Sequence, residues 1–291
     1  MDGAEFCPVC HFPADAEPGN MKKVLPDLSV PAIMDMHQII PAGRNSAEQQ
    51  LEMMETLNIE RALLQSVPTK VESILSNKAL LEIKKKYPDK FIISHFMDPR
   101  HPRALRRLKQ YRERGVRIIK LLPCLGYQPD AARWHRFFRT MEREGLAAMV
   151  HTGFITARHK NEERKAGVFL NSRFGRPIYL DEVARRFPGV RFVLCHMGGM
   201  LWCREAVEMV NQHENVWGDI SGSGIAALRL ITDQSLPVKW EKLFWGNDSK
   251  ASAYSYNLNL LMNVLNRAGI SGVASDLIYN NGKHFIDSFL S

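Results

Sequence analysis

Eight short runs of apolar and β-branched residues, at 33–39, 61–67, 91–96, 116–122, 147–151, 191–196, 216–220 and 242–245, constrain this chain more than any other feature. Between them lie segments of helical period, at 48–57, 71–87, 102–114, 131–144, 178–187, 204–213, 228–234 and 256–267. Parallel strands buried on both faces read as such runs, and joining them requires crossovers of about a dozen residues, usually helices. Breakers fall where helices should stop: Pro88-Asp89, Gly115, Gly145, Pro188-Gly189 and Gly269 each follow a helical segment. Eight strand and helix pairs in 291 residues predict a (β/α)8 TIM barrel, an α/β fold whose working residues stand at the C-terminal strand ends. The competing doubly wound sheet wants a glycine-rich phosphate loop after an early strand, and the sequence has none there.

Composition narrows the class further. An apolar content of 45% with 24% charged residues matches soluble globular proteins, and no apolar run approaches the roughly 18 residues of a membrane span. The start MDGAEFCPVC is acidic where an export signal needs a basic start and an apolar stretch, so a cytoplasmic protein is expected. The net charge of +8 is concentrated in part at Arg100, Arg103, Arg106, Arg107, Lys109, Arg112 and Arg114. Leu105, Leu108 and Tyr111 interrupt that stretch at a spacing of three, which predicts an amphipathic helix with a solvated basic face. Neither nucleic acid nor a membrane is the expected partner; a small anionic molecule is the more economical one.

The expected strand ends carry His37, Lys120, His151, His196, Asp219 and Asp248. Imidazoles converging with a carboxylate can hold Zn²⁺ or a related divalent metal. Taken singly, each histidine would read as a hydrogen-bonded structural residue; the fold is what brings them together.

These residues sit within segments that carry a resemblance. "IMDMHQII", "GVRIIKLLP", "MVHTGF", "RFVLCHMGG", "NVWGDISG" and "LFWGNDS" resemble, in order, the strand-end motifs of the amidohydrolase-related (amidohydrolase 2) family. The tail "DLIYNNGKHF" is similar to that family's closing helix, with Asn281 at its recurrent asparagine. The resemblance implies a distorted barrel over 31–291 behind a 1–30 extension, and an enzyme of the metal-dependent hydrolase, lactonase, hydratase or nonoxidative decarboxylase kind. It implies His37, His151 and Asp248 as metal ligands, His196 as a further ligand or the residue facing the reacting group, and a homodimer.

Two departures from the family pattern stand out. Residues two apart on a strand share a face, so Ile39 occupies the place of the second histidine of the family's His-x-His pair and offers no lone pair. Three protein ligands plus water still suffice for catalytic zinc, so one divalent metal is expected, Zn²⁺ first and Mn²⁺ second, while a binuclear site bridged by modified Lys120 is not. His95, on the third strand, reads as a buried structural histidine. Around Asp248 the chain has Asn247, Ser249 and Lys250 where the family writes a hydroxyl residue and an aromatic-proline pair, which implies altered substrate contacts. Lys120, Lys250 and Arg158, the last in a charged, weakly periodic lid segment at 154–176, suit a carboxylate-bearing substrate, with Asp219 and Asn247 beside them.

The five cysteines show one spacing with chemical meaning, Cys7-Pro-Val-Cys10-His11, which could supply part of a second, structural zinc site. The leading expectation is a metal-dependent hydrolase of a small carboxylated amide or lactone, with Asp248 shuttling the proton and His196 steadying the oxyanion. A nonoxidative decarboxylase with the same ligands is the alternative. A degenerate barrel that only binds a ligand is a third reading, drawn from Ile39; in the family's "HMGG" region, Gly199 stands where some decarboxylases have glutamate, which favours the hydrolase.

Overall fold

The structure is a computed structural model and describes residues 31–43, 46–68, 74–155 and 169–290. Eight strands, β1 (Ile33–Gln38), β2 (Ile59–Gln65), β3 (Phe91–Phe96), β4 (Ile118–Leu121), β5 (Ala147–His151), β6 (Phe192–Cys195), β7 (Val216–Asp219) and β8 (Leu243–Phe244), lie side by side in chain order. Each runs parallel to the next. Around them run α1 (Ser46–Thr56), α2 (Asn77–Lys86), α3 (Ala104–Glu113), α4 (His135–Arg143), α5 (Asp181–Arg186), α6 (Gly199–Gln212), α7 (Gly224–Asp233), α8 (Tyr254–Arg267) and α9 (Asn281–Leu290). The expected (β/α)8 barrel is therefore present, with its strands nearly all buried.

The barrel is least regular around β1, whose ladder with β2 shifts register and whose seam with β8 has no ladder. β8 is two residues long, and closure rests on two backbone hydrogen bonds, Met36 N to Trp245 O at 3.1 Å and Asp248 N to His37 O at 2.7 Å. Strand alternation sorts the β1 side chains across this seam. Met34 and Met36 pack outward under α9, where Gly282 leaves room, since a Cβ there would come within 2.7 Å of Met36 Cγ. Asp35 and His37 take the opposite face and are buried within the barrel.

Helix boundaries differ from expectation where tertiary contacts override local pattern. α2 begins at Asn77, because Ile74 bridges to Pro41 and Leu75 N donates to Ile40 O at 3.0 Å, which keeps that stretch extended. Ser76 then caps the helix through Ala79 N. α6 and α7 start earlier than expected, at Gly199 and Gly224. At Gly224 a Cβ would lie 3.1 Å from both Asp219 O and His196 Cα, so only glycine lets α7 begin against the strand ends. The basic stretch forms α3, with Ala104 and Leu108 buried and Arg103, Arg106, Arg107 and Lys109 exposed. No helix among the described residues is long and apolar enough to cross a membrane. Cys7, Cys10 and His11 lie outside the described residues.

Asn281, at the start of α9, is buried and donates through Nδ2 to both Trp240 O and Leu243 O at 2.8 Å, fastening the closing helix to β8. Asn281→Ala strands two carbonyls and should cost about 1–3 kcal/mol of stability. Urea unfolding followed by circular dichroism checks this; a midpoint equal to wild type would refute the fastening role.

Candidate active site

A cavity of about 60 Å³ opens at the C-terminal strand ends. Its polar lining is His37, Gln65, Lys120, His151, His196 and Asp248, and its apolar lining includes Ile39, Val67, Leu122, Ile155 and Leu170. Six strands thus deliver one polar group each, as a parallel barrel arranges.

His37 is the hub. Its Nδ1 makes a short contact with Asp219 Oδ2, and Ser221 Oγ stands 3.0 Å from the same nitrogen. Its Nε2 faces the cavity, 3.3 Å from Asp248 Oδ1 and 3.5 Å from Lys120 Nζ. Burial and the Lys120 ammonium favour the neutral ring, but Asp219, Asp248 and Cys195 together outweigh them and push the His37 pKa up to about 10. Burial works against a charge on Asp219 too, yet His37, His196 and Ser221 hold it down to about 2. Lys120 Nζ is 3.1 Å from Cys195 Sγ, so the ammonium sits between a thiol and an imidazole. Two acids, the buried Asp219 and the part-exposed Asp248, therefore flank His37, and Lys120 stands beside the same ring.

Backbone strain places the remaining groups. His196, Met197, Gly198 and Gly199 follow one another at positive φ (65°, 47°, 71° and 57°), and Asp248 has φ 46°. Non-glycine residues rarely hold this conformation, and where they do the surroundings must over-determine it. Here the amide of Gly198 donates to Thr152 Oγ1 at 2.9 Å, and Thr152 Oγ1 donates to Cys195 O. The turn brings His196 Nδ1 to 3.0 Å from Ser221 O and 3.6 Å from Asp248 Oδ2. Burial lowers the His196 pKa, against the pull of Asp248. Gly222 closes the arrangement from behind, where a Cβ would stand 2.7 Å from Asp248 Oδ2.

The structure redistributes the residues singled out in the sequence. His37, His196 and Asp248 come together, each offering a ligand atom within 4.8 Å of the others. His151 is not in that group; it lines the cavity beside His196, ring centroids 5.1 Å apart, because the left-handed turn carries His196 forward to Asp248. Asp219 lies behind His37 and not on the cavity wall. Asn247 also faces away, its side chain hydrogen-bonded to Gln38 Oε1, Ser249 O and Lys250 O. Lys250 is exposed and lines a separate groove beside α1. Arg158 lies outside the described residues, while Arg176, at the end of the lid segment, is paired with Glu205 of α6. His95 packs edge-on against Tyr111, 4.7 Å between centroids, and burial pushes its pKa down to about 4, as a structural histidine requires. Asp35, Ser221, Cys195 and Gln65 were not singled out, although Asp35 shares a strand face with His37 and could have been found by that spacing.

The donor set fits a divalent cation. Two ligands on one tetrahedral zinc, with bonds of about 2.0–2.2 Å, stand about 3.3–3.6 Å apart. The 3.3 Å between His37 Nε2 and Asp248 Oδ1 meets that spacing. Asp219 on the far ring nitrogen of His37 is the outer carboxylate that typically orients a metal-binding imidazole.

A distorted barrel with histidines and a carboxylate at its strand ends defines a class of metal-assisted enzymes. The amidohydrolase family model matches residues 42–262, and the chain belongs to that family of enzymes. Among solved structures, the barrel is similar to an uncharacterised TIM-barrel protein from Bordetella bronchiseptica (16% identity, 84% of this chain and 99% of that one, TM-score 0.60). It is also similar to a probable 2-pyrone-4,6-dicarboxylic acid hydrolase from Acinetobacter baumannii with citric acid bound (13%, 88% and 99%, 0.58). A third likeness is 5-carboxyvanillate decarboxylase from Novosphingobium aromaticivorans, complexed with manganese and 4-hydroxy-3-methoxy-5-nitrobenzoic acid (13%, 88% and 96%, 0.59). No curated protein matches the chain in sequence.

Asp35 underlies the site. Its Oδ1 accepts from His37 N and Asn247 N, both at 3.0 Å, and its Oδ2 accepts from Tyr254 OH, which Gln50 Nε2 supports at 2.7 Å. Burial raises the Asp35 pKa from 3.8 to about 7 despite these donors. Between about pH 4 and 7 the unfolded chain has released this proton while the folded chain retains it, so stability declines as pH rises through that window. Asp35→Asn should flatten this decline. Urea midpoints across pH 4–8 for both proteins measure it, and parallel pH profiles would contradict the assignment.

Proposed function

We propose that the chain is a hydrolase that opens a small carboxylated lactone or amide with the help of one divalent metal. The carrying observation is Asp248. Its carboxylate stands between His37 Nε2 and His196 Nδ1 on the cavity floor, with its side chain 24% exposed. His37, His196 and Asp248 would hold the metal, Zn²⁺ or Mn²⁺. Bound there, a metal supplies a lowered water pKa and a polarised carbonyl.

The chain's own groups do the rest. Asp248 accepts the proton of the attacking water and passes it to the leaving oxygen or nitrogen. His151, on the same wall as His196, donates to the developing oxyanion. Lys120 pairs with a substrate carboxylate, and Ile39, Val67, Leu122, Ile155 and Leu170 seat the substrate's ring. Ile39 has then exchanged a ligand for a wall. The barrel's likeness to a pyrone dicarboxylic acid hydrolase supports this substrate class.

The decarboxylase reading keeps the same residues. Its support is the largely apolar wall and the likeness to 5-carboxyvanillate decarboxylase. In that reaction Lys120 orients the departing carboxylate and a cavity histidine protonates the ring carbon.

Turnover of pyrone and hydroxybenzoate carboxylates in ¹⁸O-labelled water separates the two: label in the organic product marks hydrolysis, and carbon dioxide release without label marks decarboxylation. His37→Ala and Asp248→Asn should abolish turnover in folded protein. His151→Ala should lower kcat by roughly 10²–10³-fold, the loss expected for one oxyanion donor. Undiminished turnover in Asp248→Asn would sink the assignment of the proton carrier.

A further inference from the structure

Lys120 is buried, 2% exposed, and its ammonium stands 3.5 Å from His37 Nε2, the nitrogen that faces Asp248. It is also 3.1 Å from Cys195 Sγ, which offers a ligand atom within 4.8 Å of those of His37 and Asp219. Both groups of side chains in the described barrel that could hold a metal share His37, and Lys120 stands 3.5 Å from that residue on the cavity wall. Ile39 subtracts one donor from the same spot.

We propose that Lys120 is a built-in cation that competes with the divalent metal for the pocket, so that its charge sets how tightly the metal binds. This rests on the metal-assisted reading above and adds to it a residue that sets metal affinity.

The physical reason is the sharing of a small space. The cavity has room for a few water-sized groups, its one acid, Asp248, is already faced by His37 and His196, and Lys120 stands against His37 Nε2. A divalent ion bonded to His37 Nε2 would lie no more than about 5.6 Å from the ammonium, where like charges repel strongly even at an effective dielectric of about 20. Water does not screen a buried pair as it screens surface charges. A substrate carboxylate that pairs with Lys120 removes this repulsion, so metal and anionic substrate favour each other's binding.

The test is Mn²⁺ and Zn²⁺ affinity of tag-free protein, measured by isothermal titration calorimetry and by equilibrium dialysis with elemental analysis. Wild type is compared with Lys120→Met, which keeps length and loses charge, and with Lys120→Arg, which keeps charge. Lys120→Gln carries the comparison if the methionine variant does not fold, as judged by circular dichroism. The expected result is Mn²⁺ binding at least about tenfold tighter in Lys120→Met, with Lys120→Arg no tighter than wild type. Binding that Lys120→Met leaves unchanged or weakens overturns the proposal while leaving the metal reading intact. Absence of binding in every protein, His37→Ala included, overturns both.

Discussion

One buried carboxylate oxygen, Asp35 Oδ1, accepts the amides of His37 and Asn247 and thereby joins the first strand to the last where the barrel has no ladder to do so. Everything chemical depends on that junction. His37 supplies the central imidazole from one side, Asp248 the half-buried carboxylate from the other, and their 3.3 Å separation is set by how the two backbones meet. The support runs outward through Tyr254 and Gln50 to Gln38 and Asn247, so the polar groups in the barrel's weakest place satisfy one another. A buried network of this kind is costly unless complete, and completeness makes it specific.

The same economy governs the cavity. Asp219 and Asp248 both touch His37, one on each ring nitrogen, and Lys120 stands against the same ring. Charges buried without partners would be expensive, whereas this cluster can be assembled during folding from residues of four different strand ends. The apolar wall around it lowers the local dielectric, which strengthens every interaction a substrate carboxylate would make there.

Fold and site were unequally legible in the sequence. The eight runs of β-branched residues announced the strands because parallel barrel strands are buried on both faces and leave little room for polar residues. The strand ends announced His37, His151, His196, Lys120 and Asp248 for the converse reason, that polar residues there must face one rim. What sequence periodicity could not convey was the direction of the chain after each strand. Four successive positive φ values turn His196 toward Asp248, and the seam hydrogen bonds turn Asn247 away from the cavity, so neighbours in sequence part company in space. Ser221 and Cys195 escaped notice because nothing in a lone serine or cysteine signals a partner on another strand.

The two-residue β8 has a consequence for how binding and folding are linked. Strand pairs β1–β2 to β6–β7 resist opening through ladders of several residues, but the β8–β1 seam is held by two backbone bonds, one of them made by His37 itself. Local opening at this seam would separate His37 from Asp248. A ligand bridging those two side chains would act as a rivet across the barrel's least protected join, slowing amide exchange in β1 beyond the general stabilisation it gives the fold. The place where the barrel is least finished by its own backbone is thus the place where a ligand completes it.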